Sequence, residues 1–141
     1  MKKLNSIVVI IFLPVILSFS RETGDLKKSF INAEIIGTGV IESVKKHNDK
    51  CTSTLIAEVK VLNILKGSIK NKPLLIRLTE HYWNEDCPSV EYKLPPIEVK
   101  IEKDRKIVFG AGHFKGYDEC YVIAAAEYDR LDEIKKITGI R

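Results

Sequence analysis

From residue 35 the chain alternates with a period of two. Ile36, Thr38, Val40, Glu42 and Val44 interleave with Ile35, Gly37, Gly39, Ile41 and Ser43; both sets carry apolar groups, and β-branched residues dominate. That spacing predicts a long strand. Gly37 and Gly39 fall on one face, as they do where a strand bends tightly or another backbone comes close. His47–Lys50 is a polar turn, and a second long strand runs from Thr54 to about Leu65. In it Leu55, Ala57, Val59 and Val61 share a face opposite Glu58 and Lys60. At Leu62 the apolar phase slips by one residue, which is what a β-bulge produces. The two strands therefore read as a hairpin with a turn of several residues.

Shorter elements follow. Leu74–Leu78 is a third strand, and Glu80–Pro96 dissolves into a long loop with aromatic residues. Ile97, Val99 and Ile101 alternate with Glu98, Lys100 and Glu102 as an edge strand, and Lys103–Asp104 is a turn. Lys106–Gly110 is a short buried strand; Gly110, Gly112 and Gly116 mark a mobile loop; Cys120–Ala126 is the last strand. Asp25 caps a short helix carrying Leu26 and Phe30 one turn apart, ended by Asn32 and Ala33. Asp129 opens a C-terminal helix through Leu131, Ile134 and Ile137, with Gly139 as its stop. No strand–helix–strand alternation occurs, which argues against a parallel sheet. The predicted fold is mainly β: a small antiparallel barrel, closed or partly closed, with a short N-terminal helix and a C-terminal helix.

The first twenty residues belong to a different pattern. Lys2 and Lys3 precede Ile7–Phe19, 13 residues broken only by Pro14 and Ser18. A membrane span needs about 20. A positive start, a short apolar stretch and small residues at Ser18 and Ser20 describe a secretory signal peptide over 1–20, cut after Ser20. The alternative is an uncleaved anchor. Residues 21–141 then form a single domain, consistent with a chain of 141 residues. The formal charge of +4 falls to +2 without the two leader lysines. So mild an excess does not suit a nucleic-acid binder, which should show a dense positive face. The pairs Lys27–Lys28, Lys45–Lys46 and Lys135–Lys136 read as solvated faces. The expected location is secreted, periplasmic or cell-envelope, with no stable membrane span once the signal is removed.

Candidate chemistry is sparse. His81, Tyr82 and Trp83 stand together, and Trp83 is the only tryptophan. Aromatic residues on a loop are typical interface anchors, so these three are the candidate binding residues; the alternative is that Tyr82 or Trp83 caps the barrel end. Glu80, Glu85 and Asp86 lie in a polar loop, a poor place for the sheltered carboxyl that acid–base catalysis requires. An enzymatic alternative would use Cys51 with His47, or a metal held by His81 and His113. No phosphate-cradling glycine loop, nucleophile elbow or zinc-protease spacing is present, and no cofactor is implied. Cys51, Cys87 and Cys120 make an odd number, so at least one thiol is unpaired or pairs with another chain. Cys51 is read as the free thiol, with a disulfide to either other cysteine, or between chains, as alternatives.

The order of four features resembles the netrin-like OB-fold domain shared with tissue inhibitors of metalloproteinases and many exported bacterial proteins. They are Ala33–Val40 (AEIIGTGV), Ala57–Gly67 (AEVKVLNILKG), Lys106–Phe109 (KIVF), and Cys87 and Cys120 on either side of that last strand. The resemblance covers nearly all of residues 21–141. It implies an OB-type barrel, and a structural disulfide between Cys87 and Cys120 is the reading adopted. The chain departs from the inhibitors in one respect that matters. Their N-terminal cysteine chelates the protease zinc, whereas Arg21–Glu22–Thr23 would begin this domain, so that role is not carried over. The expected function is an exported, non-enzymatic binding module whose partner is an unknown protein or envelope component. Protease inhibition through the Tyr82–Trp83 loop or the N-terminus is the alternative.

Overall fold

The computed structural model describes residues 26–70, 72–88 and 94–141; the predicted signal peptide 1–20 and the predicted cap Asp25 lie outside the described residues. Residues 26–32 are helical (α1). There follow β1 (Ile35–Asn48), β2 (Thr52–Lys66), β3 (Leu74–His81), β4 (Ile97–Glu98), β5 (Lys106–His113) and β6 (Cys120–Glu127). A 3₁₀ turn at Tyr128–Arg130 leads into α2 (Leu131–Thr138). The sheet order is β3-β2-β1-β5-β6-β4, and β3 also pairs with β6. That extra pairing is a parallel ladder of Leu74 with Cys120 and Leu75 with Tyr121. It closes five strands into a barrel. β1, β2 and β3 meander, β5 returns to β1, and β6 comes back beside β3, the connectivity of an OB-type barrel.

The strands form where the alternation placed them, and the ladder shows why each is bent. Register along β1 and β2 runs from Thr38 opposite Asn63 to Gly39 opposite Val61, so Leu62 is the extra residue of a bulge. Two further shifts leave Leu65 and Glu42 without an opposite number. Bulges raise local twist and let a long strand serve two parts of a small barrel. The glycines answer the same curvature. A Cβ on Gly37 would lie 2.5 Å from the Asn63 carbonyl oxygen, and one on Gly39 would lie 2.7 Å from Val59 Cγ1.

Two apolar layers result. Inside the barrel, Ile35, Ile41, Ile76, Ile107 and Phe109 are buried together. Outside it, Leu26 and Phe30 of α1 and Ile134 of α2 pack against Ile36, Val108, Ala124 and Ala126. β5 lies between the layers, so Ile107–Gly112 is buried throughout and shows no polar alternation. The helices thus roof the outer side of β5, β6 and the start of β1. α2 has no side-chain N-cap and ends at Gly139 with φ 75°, the stop expected of it. Among the described residues no helix is long and apolar enough to cross a membrane.

Several boundaries differ from expectation: β1 runs on through Asn48 into the expected His47–Lys50 turn, and α2 opens at Leu131, after the 3₁₀ turn that contains Asp129. β3 continues past Leu78 to His81 because Thr52–Thr54 offers it three more rungs. The predicted edge strand at 97–101 is reduced to Ile97–Glu98, two parallel rungs on β6; Ile97, Val99 and Ile101 instead press half-buried against the barrel interior. Gly110 and Gly112 are not in a loop: in β5, Gly110 pairs with both β1 and β6 and Gly112 with β6, and the connecting loop is 114–119.

Candidate binding face

The helices leave the outer side of β2 and β3 open. Cross-strand neighbours share a face, so the register lays out this surface row by row. Lys45, Ile56 and Arg77 form one row. Thr54 and Thr79 form the next, their Oγ1 atoms 3.2 Å apart. Leu75 and Tyr121 form the row at the barrel closure. Past that closure the β5–β6 loop turns back on itself, with the Tyr117 amide donating to the Phe114 carbonyl at 3.1 Å and Gly116 at φ 88°. A positive φ suits glycine. The turn puts Phe114 and Tyr117 over Tyr121, at ring-centroid distances of 5.9 and 5.8 Å and interplanar angles of 59° and 89°. These are favourable tilted and edge-to-face contacts. Phe114 is nevertheless 45% exposed and Tyr117 54%.

The three rings and Arg77 line an open recess of about 280 Å³. Among the described residues no carboxylate lies within ion-pair distance of the Arg77 guanidinium. None of these four residues was singled out from sequence. The legible signals were an arginine interrupting the apolar run LLIRL and two aromatics in the four-residue stretch FKGY between strands.

His81, Tyr82 and Trp83 gather at the other end of β3. His81 is its last residue and pairs with Thr52. The Tyr82 amide donates to the Cys51 carbonyl at 2.8 Å. Asn84 and Cys87 bridge across a turn in which the Asp86 amide donates to Asn84 Oδ1 at 2.9 Å. Tyr82 is 40% exposed and Trp83 70%, so neither caps the barrel as a core residue. Arg77 and His81 are four strand residues apart, roughly 13 Å. Aromatic groups therefore flank the open face at both ends.

The cysteine assignment needs correcting. The disulfide joins Cys51 to Cys87, with Cα atoms 5.4 Å apart; Cys87–Cys120 is not formed, and Cys51 is not the free thiol. Cys120 is free and buried. The register explains this. Thr52 opposite His81 brings the residue before β2 beside the turn after β3, whereas Cys120 is tied to Leu74 at the far end of β3. Burial pushes the Cys120 thiol up from its ordinary value, and nearby Lys72 only partly offsets this. A bridged Cys51 cannot serve as a nucleophile with His47, whose Nε2 lies instead 3.1 Å from Asp49 Oδ1 on the surface. His113 stands beside Cys120, with its Nδ1 3.2 Å from Glu34 Oε2. Seven strand steps, about 23 Å, separate that end of the barrel from His81, so the two histidines do not meet over one metal. Glu80 lies in β3 opposite Ser53 and not in the loop, while Glu85 and Asp86 lie in the turn beyond it; all three are exposed.

A scan against protein-family models gives no match for this chain, and a search of the curated proteins gives none either.

Proposed function

We propose that this chain is a small exported binding module of netrin-like type, acting through the open outer face of its barrel and not through catalysis. The observation that carries the reading is the recess itself. Three partly exposed aromatic rings, and a guanidinium with no carboxylate partner among the described residues, surround a concavity on the side the helices leave bare. OB-type barrels bind ligands across the second and third strands and the loops at either end. Here those parts are β2, β3, the β1–β2 turn and the β5–β6 loop. Ligand sites elsewhere combine aromatic walls with a few polar groups that fix orientation. Tyr82 and Trp83, held by the Cys51–Cys87 bridge, would supply a second anchor, with His81 beside them.

The netrin-like assignment draws support from the barrel topology with both helices on one side. Export draws support from the disulfide, because such bonds persist in oxidising compartments, and from the apolar stretch at Ile7–Phe19. The test uses immobilised full chain exposed to an envelope extract of the producing organism, beside the double variant Phe114→Ala/Tyr117→Ala with an unchanged melting temperature. A component retained by the parent and lost from the variant supports the reading. Equal retention by both places the binding surface elsewhere.

A further inference from the structure

We infer that the recess between Arg77 and the rings of Phe114, Tyr117 and Tyr121 takes an acidic sugar residue of a glycan, its carboxylate on Arg77 and its ring against the aromatic walls. This rests on the binding-face reading above and names the ligand class.

Charge complementarity comes first. The Arg77 guanidinium is exposed, and its planar fork matches a carboxylate with two parallel hydrogen bonds. Lys45 adds a second cation in the same row. One acid, Glu58, stands in the neighbouring row opposite Leu75, where it accepts from Ser43 Oγ at 3.4 Å; among the described residues no carboxylate is within ion-pair distance of Arg77 or Lys45.

Ring geometry comes second. A flat base or aromatic side chain is best held by a parallel stacked face. The rings here meet at 59° and 89°, so they form the walls of a cup. A puckered pyranose presents C–H groups on both faces, and these suit the electron-rich faces of rings set at steep angles.

Size and surroundings come third. A volume of about 280 Å³ lies just under the range of drug-sized ligand sites, about 300–1,000 Å³, so it holds one ring and its substituents. The recess is open, and beyond Arg77 the face continues over the Thr54 and Thr79 hydroxyls, which can exchange hydrogen bonds with sugar hydroxyls. A polymer can therefore leave the cup along β3.

The test is a titration of the purified full chain at low salt, followed by calorimetry and by NMR shifts. The probes are tetragalacturonate, the neutral cellotetraose, and tetrathymidylate. Tetragalacturonate should bind saturably, with shifts concentrated at Arg77, Phe114, Tyr117 and Tyr121, and at least tenfold more tightly than cellotetraose. Arg77→Gln should remove that tenfold preference. Tyr117→Ala should weaken both sugars, and both variants should melt with the parent. Absence of saturable tetragalacturonate binding, equal affinity for cellotetraose, no effect of Arg77→Gln, or tighter binding of tetrathymidylate each overturns the inference. If that happens while the envelope component of the preceding test is still lost from the Phe114/Tyr117 variant, the face binds a different ligand. If the component is retained as well, the binding face itself is refuted.

Discussion

Leu75 pairs with Tyr121 in the two-rung parallel ladder that closes the barrel. This contact joins residues 46 positions apart and brings the aromatic loop beside Arg77, two residues along the same face of β3. The recess therefore exists only when the barrel is shut. A variant that opens the closure, such as Leu74→Ala, removes a side chain only 2% exposed. It should cost about 2–5 kcal/mol. Weakened protection of the Tyr121 amide against hydrogen exchange would accompany the loss; unchanged protection would mean that the ladder does not hold the loop.

The Cys51–Cys87 bridge closes a separation of 36 residues. On the chain-entropy account that restricts the unfolded chain by roughly 4 kcal/mol. Cys51→Ala/Cys87→Ala should lower stability by about 2–5 kcal/mol in denaturant titration. In the parent, Cys120 should resist alkylation until the barrel unfolds. Disulfide mapping that returned a Cys87–Cys120 peptide would contradict the strand register described above.

Gly37→Ala should be poorly tolerated, because its new Cβ would sit 2.5 Å from the Asn63 carbonyl oxygen and 3.0 Å from Phe109 Cζ. Overpacking of this kind costs about 1–3 kcal/mol. The backbone oxygen cannot swing away without breaking the β1–β2 ladder. Thermal unfolding of the variant at the parent's temperature would show that the ladder gives more readily than its bulged register suggests.

Trp83→Ala should be nearly silent for stability, within about 0.5 kcal/mol, as a surface change without buried contacts. Trp83 is 70% exposed. The same variant should weaken capture of the envelope component if the disulfide-held turn is the second anchor. Loss of stability without loss of capture would reverse this assignment.

Acid should loosen the structure through two carboxylates. A hydrogen bond from Arg105 holds Glu102 below its ordinary value, helped by the charges of Arg105 and Lys100. A hydrogen bond from Arg130 does the same for Glu133. The unfolded chain thus takes up these protons more readily. The stabilising contribution is complete above the ordinary glutamate value of about 4.3 and fades as pH falls through the lowered folded values. Both groups are solvent-accessible, so the effect is modest. Melting temperature should be flat between about pH 7 and 5 as far as these groups contribute, and should fall below roughly pH 4. Glu102→Gln/Glu133→Gln should make that acid fall shallower; an unchanged fall would assign it to other groups.

Local spacing alone determined much of this protein. Alternation marked the long strands, the phase slip marked the Leu62 bulge, paired glycines marked the close backbone approach, and Gly139 marked the end of α2. Leu26 and Phe30, one turn apart, showed the buried stripe of α1. Each of these signals is carried by residues within a few positions of one another. Tertiary structure decided which cysteines meet. Cys87 and Cys120 flank the same strand in sequence, yet they lie toward opposite ends of the barrel, because β3 runs antiparallel to β2 and parallel to β6. It also assembled the recess, since Arg77 and Tyr117 are 40 residues apart and become neighbours only through the β3–β6 closure. Strand propensity is a property of neighbouring residues, whereas register and closure follow from burying every apolar face at once.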